Sequence, residues 1–134
     1  MGKRHLIGSV VIGAVVCILQ ACTSGICLQA MRRSERFFGL SKPGGDTVAG
    51  VEWQAFVDTC VTPAFRSGFT VVNGSGQWQN EAGVVEKERT KILILLHPND
   101  DPSNRLIDYV RDTYKTAFQQ QSVLRVTCPV QASF

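Results

Sequence analysis

Histidine is nearly absent from this sequence of 134 residues: there are two, His5 and His97. His5 falls in a segment that reads as removed on export, so no metal site built on several histidines can be assembled from this chain alone. Catalytic, metal-binding and nucleotide-binding motifs are missing as well. An excess of one charge is also lacking. Setting aside Lys3 and Arg4, the chain from Cys22 onward carries 12 Lys and Arg against 11 Asp and Glu, a net charge of about +1. Nucleic-acid binding needs a basic patch on one face, and this balance makes no electrostatic case for it, so no nucleic-acid partner is expected. Repeats and low-complexity runs are absent too, and the composition is that of an ordinary globular protein of at most one domain.

What is present begins with an export signal. Met1-Gly2-Lys3-Arg4-His5 is basic, and Leu6 to Leu19 is an apolar run of 14 residues. As a helix it would reach only about 21 Å, short of the roughly 30 Å hydrocarbon core, so it reads as a signal segment. It ends in Leu19-Gln20-Ala21-Cys22. That arrangement resembles the lipobox of bacterial lipoproteins, with Gln20 larger than the usual small residue. The resemblance implies cleavage before Cys22 and its acylation, a lipid anchor needing no spanning helix. Thr23 in place of Asp favours the outer membrane by analogy with enteric sorting. The alternatives are an uncleaved anchor and an ordinary secretory signal. The predicted organisation is a signal peptide over 1–21, a lipidated tether over 22–33 and a single domain over 34–134 in the periplasm.

Within that domain the organising stretch is Val84 to His97. Lys91-Ile92-Leu93-Ile94-Leu95-Leu96-His97 is apolar on both parities, the pattern of a strand covered on both sides. Ser34 to Ser41 reads as a first strand. Val51 to Val61 follows as a helix with Trp53, Phe56, Val57 and Cys60 on one face, stopped by Pro63. Trp53 is expected in the core. Phe69 to Gln79, with a bulge at Gly74 to Gly76, pairs through a turn at Asn80-Glu81-Ala82-Gly83 with the organising strand, and the polar outer half of this hairpin should project beyond the core. Asp101 and Pro102 serve as N-cap and N1 of a second helix buried through Leu106, Val110, Tyr114 and Ala117 and flanked by Ile107 and Phe118. Val123 to Val130 is the last strand.

Strand, helix, strand, strand, helix, strand is the split βαβ, or ferredoxin-like, order. The predicted fold is therefore α+β: a four-stranded antiparallel sheet in the order 4-1-3-2 with two helices on one face. That order places the third strand in the interior, as its apolar pattern requires. One sheet face is left without helices. The expected open face carries Leu93 and Leu95 with Val71 and Val123, and a second copy of the chain could cover it as a homodimer, as in the dimeric α+β barrels.

From Glu35 to Phe134 the sequence resembles an uncharacterised family of bacterial exported proteins, domain of unknown function 3574. The residues that carry the resemblance are Phe38-Gly39-Leu40-Ser41, Glu52-Trp53-Gln54-Ala55-Phe56, Val61-Thr62-Pro63, Gly76-Gln77-Trp78, Glu88 with Thr90, and Gln121-Ser122-Val123-Leu124-Arg125-Val126. The resemblance implies no activity. The chain departs from the family at Phe37, Ala64 and Ala49, where Tyr, Arg and a helix-capping Ser are common.

Topology sorts the polar residues into two poles. Ser41, the hairpin residues Gln77, Trp78 and Glu88, and Gln121 with Ser122 fall at one end, away from the tether. Gln77, Trp78, Glu88 and Gln121 are the candidate ligand pocket, since amides and a carboxylate around an indole suit a small polar ligand or a sugar. The competing reading is that these residues satisfy one another and brace the hairpin. Cys60, His97 and Cys128 fall at the tethered end. Cys128 is expected inward with Leu124 and Val126, and Cys60 is expected as a buried reduced thiol rather than half of a disulfide. A nucleophilic pairing of His97 with Cys60 or Cys128 lacks any activating motif. The sequence thus reads as a lipid-anchored binding or accessory module without an expected cofactor. The alternative is a small envelope enzyme with Glu88 as acid or base and Gln77 or Gln121 as donors.

Overall fold

The computed structural model describes residues 27–134. The signal peptide expected over 1–21 and the acylation site Cys22 lie outside the described residues. Four strands, β1 (Gln29–Gly39), β2 (Thr70–Gln79), β3 (Val85–His97) and β4 (Leu124–Ala132), form one antiparallel sheet in the order β2-β3-β1-β4. Counted from the other edge this is 4-1-3-2, the ferredoxin-like order. The first strand starts five residues before the predicted domain boundary at 34, so residues 29–33 of the expected tether are strand, paired with 128–132 of β4. Polar side chains hid this pairing, because Arg32 and Arg33 show no apolar alternation.

The first helix, α1, runs as α-helix over Gly50–Phe56, as π-helix over Val57–Val61, and ends in a turn over Thr62–Ala64. Pro63 explains the wide middle turn. It has no N–H to donate and its ring would crowd the carbonyl of residue 59, so the chain widens and Thr62 N–H bonds to Val57 O. Proline thus widens the helix before ending it. At the N-terminus Ala49 offers no capping side chain, and Glu52 reaches back to accept from the Ala49 N–H at 2.7 Å. The second helix, α2, spans Asp101–Phe118. Its cap is Asp100 rather than Asp101, accepting from Ser103 N–H at 2.8 Å, with Pro102 inside the first turn. The Ser103 side chain first, and then that N–H, hold the Asp100 carboxyl below its ordinary pKa.

Both helices cover one face of the sheet. Strand parity sends Leu93, Leu95 and His97 from β3, and Ser34, Arg36 and Phe38 from β1, into that interface, where all are buried. Trp53, Phe56, Val57, Cys60 and Val61 meet them from α1, and Ile107, Val110, Tyr114 and Phe118 from α2. The α2 stripe is rotated from the expected one: Leu106 and Ala117 are exposed. Phe38, Trp53, Phe56, Tyr114 and Phe118 pack as tilted and edge-to-face rings with centroids 4.7 to 6.2 Å apart. The burial of Trp53 agrees with its expected role as core anchor.

The open face is the other parity from the one expected. Leu93 and Leu95 are buried under the helices, as is Val123, and Val71 packs against the same core. The bare face carries Ile92, Ile94 and Leu96 of β3, Val72 of β2, Phe37 of β1, and Leu124 and Val126 of β4. Because β3 is apolar on both parities, its sequence could not say which set the helices take. Cys128 shares the parity of Leu124 and Val126 as foreseen, but that parity faces outward and all three are exposed. The hairpin register runs without interruption from Thr70↔Ile94 to Gln79↔Val85, so the expected bulge at Gly74 to Gly76 does not form. Its outer half stands clear of the helices, exposed on both faces.

Candidate functional site

At the end of the open face away from the start of β1, the sheet rises into two loops and leaves a cleft of about 530 Å³. Its floor and walls include Phe37, Gly39, Trp78, Glu88, Thr90 and Leu124 from the sheet, Ser41 to Pro43 from one loop, and Gln119 to Ser122 from the other. Trp78, Glu88 and Gln121, three of the four predicted pocket residues, therefore line one concavity. Gln77 does not. It neighbours Trp78 in β2, so its side chain leaves from the opposite face, with cross-strand partner Lys87. The sequence motif Gly76-Gln77-Trp78 concealed that alternation.

Glu88 sits at the centre for a steric reason. An added Cβ at Gly39 would lie 2.7 Å from Glu88 Cδ, closer than atoms pack, so only glycine admits the carboxylate there. Across the hairpin Glu88 faces Gly76, which also contributes no side chain. Ser41 N–H donates to Glu88 Oε1 at 3.1 Å. No salt bridge to Glu88 occurs among the described residues. The nearby Lys42 is already engaged, with Nζ 2.8 and 2.9 Å from the two Glu52 oxygens and over the Phe118 ring. That contact with Lys42 is also the main cause of the lowered Glu52 pKa.

Hydrogen bonds fix both rims. Tyr114 O–H donates to Gly39 O at 2.8 Å. Burial is the main reason its phenol pKa is raised, and the charges of Glu88 and Glu52 add to it. Gln120 Nε2 donates to Ser41 O at 2.6 Å and to Phe118 O at 3.2 Å, lashing the loop after α2 to the end of β1. Gln119 closes α2 in the left-handed region (φ 55°), a conformation unusual for a side-chain-bearing residue, directly beside the cleft. Trp78 is 52% exposed, its indole available to a ligand.

At the tethered pole a hollow of about 700 Å³ lined by Met31, Arg33, Phe69, Ile94, Leu96 and Pro98 opens on the bare face, and His97, turned to the helix side, takes no part in it. His97 Nδ1 lies 2.7 Å from Pro98 O, an acceptor only, so Nδ1 carries the proton and Nε2 accepts from Ser34 O–H at 2.9 Å. Ser34 Oγ then accepts from Thr127, 2.9 Å away, and Thr127 accepts from Arg125 Nε. This hydroxyl-imidazole pair escaped the sequence reading because 63 residues separate its members. Ser34 and His97 are both buried, so the chain of bonds satisfies polar groups inside the sheet-helix interface rather than facing a substrate. Neither Cys60 nor Cys128 pairs with His97. Cys60 is buried and its thiol is pushed up by desolvation, the opposite of nucleophilic activation.

A second unforeseen feature is Arg36, 1% exposed on an interior strand. Its Nη2 bonds Asp108 Oδ1 at 3.0 Å, while Arg111 and Arg125 approach the same oxygen at 3.5 and 3.8 Å. Burial and the neighbouring Arg125 pull the guanidinium down to about 10 despite Asp108. Among the described residues, no cluster of three or more His, Cys, Asp and Glu could hold a metal ion.

Over residues 33–134 the sequence matches the family described as Protein of unknown function (DUF3574), and the chain belongs to it. No curated protein matches significantly. Among solved structures, the chain is similar to a phage SAM lyase in complex with S-methyl-5'-thioadenosine, with a TM-score of 0.55 and 12% identity over 78% of this chain and 90% of that one. It is also similar to CutA from Synechococcus elongatus, with a TM-score of 0.53 and 12% identity over 82% of this chain and 87% of that one. At such identity the likeness shows the fold alone, and that fold is ferredoxin-like.

Proposed function

We propose that this member of the family is a lipid-anchored module of the bacterial cell envelope that binds a small ligand in the Glu88 cleft and works as a homodimer. The observation that carries the binding role is the cleft itself: a carboxylate seated against Gly39, an exposed indole at the rim, a loop tied down by Gln120 and the end of β1 held by Tyr114. Rigid walls around a few polar groups are what ligand recognition needs. Catalysis would need a second acid, base or activated nucleophile near Glu88. The hydroxyls of Ser41, Thr90 and Ser122 line the cleft, but the one described imidazole is bonded to Ser34 at the other pole. Binding is therefore the better supported role.

The anchor rests on Leu19-Gln20-Ala21-Cys22. Full-length protein should incorporate radiolabelled palmitate in a lipoprotein-processing host, and the Cys22→Ser chain should not. Label that persists in Cys22→Ser removes the anchor. The dimer rests on the bare sheet face, where Val72, Leu96, Leu124 and Val126 are exposed together and leave apolar surface in water. An Arg33-Glu35 ion pair of 2.8 Å lies on the same face. Light scattering should give twice the chain mass, and Val126→Glu should halve it. A monomer at high concentration removes the dimer. For the cleft, ligand screening by thermal shift should yield hits that disappear in Trp78→Ala.

A further inference from the structure

We infer that the ligand of the Glu88 cleft is a small organic cation, an ammonium carried on an apolar body, an inference that rests on the cleft being a binding site. The first reason is the way β3 sorts charge. In Glu86-Lys87-Glu88-Arg89-Thr90-Lys91 the signs alternate, so the pleat places Glu86 and Glu88 on the cleft side with Trp78 and Gly76, and Lys87, Arg89 and Lys91 on the other. A cationic stretch and an acidic stretch thus occupy opposite faces of one strand. A ligand in the cleft meets the acidic one.

The second reason is what the carboxylate lacks. Glu88 accepts one backbone N–H, from Ser41, and has no cationic partner among the described residues, although it is partly buried against Gly39. Lys42, the basic residue lining the cleft, is neutralised by Glu52. Glu86 is likewise without a cation and accepts from Asn80 Nδ2 at 3.1 Å. A partly desolvated carboxylate with lone pairs to spare attracts a positive group more strongly than one in open water.

The third reason separates an organic cation from a bare ion. Trp78 and Phe37 bring aromatic rings to the cleft beside Glu88, and Leu124 adds apolar surface. Ring faces attract ammonium groups, and apolar walls suit the carbon body that a metal ion does not have. Two carboxylates on one strand, with no third ligand, do not meet the requirements of a metal site.

The test titrates the full-length protein with choline and with phenethylamine, and in parallel with their uncharged isosteres 3,3-dimethylbutan-1-ol and 2-phenylethanol. Emission of Trp78, the exposed indole of the two, reports occupancy. At least one cation should bind at least tenfold more tightly than its isostere, a difference of about 1.4 kcal/mol. Glu88→Gln should erase that preference, while Lys87→Ala on the opposite face should leave it. Isosteres that bind as well as the cations, or a preference that survives Glu88→Gln, overturn the assignment of charge. If the isosteres bind equally and Trp78→Ala abolishes their thermal shift, the cleft stands and only the cation fails. Absence of any response to all four probes overturns the cation, and absence of any thermal-shift hit removes the cleft with it.

Discussion

Gly39→Ala should separate the architecture of this protein from its binding. An added Cβ would lie 2.7 Å from Glu88 Cδ and closer still to its Oε1, so the carboxylate must retreat by about 1 Å to reach ordinary van der Waals contact at 3.4 Å. The obstructing atoms are the end of a flexible side chain, and the position lies within β1 outside the left-handed region, so alanine fits the backbone. Retreat strips Glu88 Oε1 from the Ser41 N–H, a loss of about 1 kcal/mol, lessened because water can reach both groups. Against it, replacing glycine reduces the freedom of the unfolded chain and stabilises by about 0.4 to 1 kcal/mol. The two effects nearly cancel. Net stability should change by less than about 1 kcal/mol, or under about 8 °C in Tm for a domain of this size. The binding groups, by contrast, no longer hold their geometry, and affinity for whichever cation binds the wild type should fall about tenfold or more. Circular dichroism melts with Trp78-monitored titrations measure both. A melt lowered by more than about 15 °C would mean the backbone, not the tip of Glu88, absorbs the clash. Wild-type affinity in Gly39→Ala would mean that the seated carboxylate does not matter to the ligand.

Trp53→Ala removes an indole packed against Phe38, Phe56 and Tyr114 and should cost about 3 to 5 kcal/mol in urea unfolding, with a loss below about 1 kcal/mol contradicting its central place. Asp108→Ala strands the buried Arg36 guanidinium; because Asp108 is 45% exposed, the cost should lie near the low end for a broken buried pair, about 3 kcal/mol, and a neutral result would show that Arg111 and Arg125 need no carboxylate between them. Cys60, buried in α1, should resist iodoacetamide in the native protein while Cys128 reacts; a Cys60 to Cys128 cross-link in non-reduced peptides would require the helix and the open face to meet, which they do not.

The element order and strand order were legible because they follow from local periodicity and from one strand, Ile92 to Leu96, too apolar to sit at an edge. The two ends of the fold were legible as well: residues 41, 78, 88 and 121 gather at one pole because antiparallel connections bring them there. The same strand that revealed the order hid the facing. With both parities apolar, only the docking of α1 and α2 decided that Leu93 and Leu95 go inward while Ile92 and Ile94 go to the bare face. That decision also turned Cys128 outward and left Gln77 off the cleft face. Arg36 was illegible for a different reason: a charge on an interior strand becomes tolerable only when Asp108, 72 residues away, arrives beside it. The cleft belongs to the same class. Gly39 in the sequence is simply a glycine after two phenylalanines, and it becomes the seat of a carboxylate only when β1 and β3 pair antiparallel and bring Glu88 across it. Local patterns, whose information lies within a turn or a pleat, are determined by the sequence by itself; which face is covered, and which charges find partners, depends on contacts between residues dozens of positions apart, and only the tertiary structure decides them.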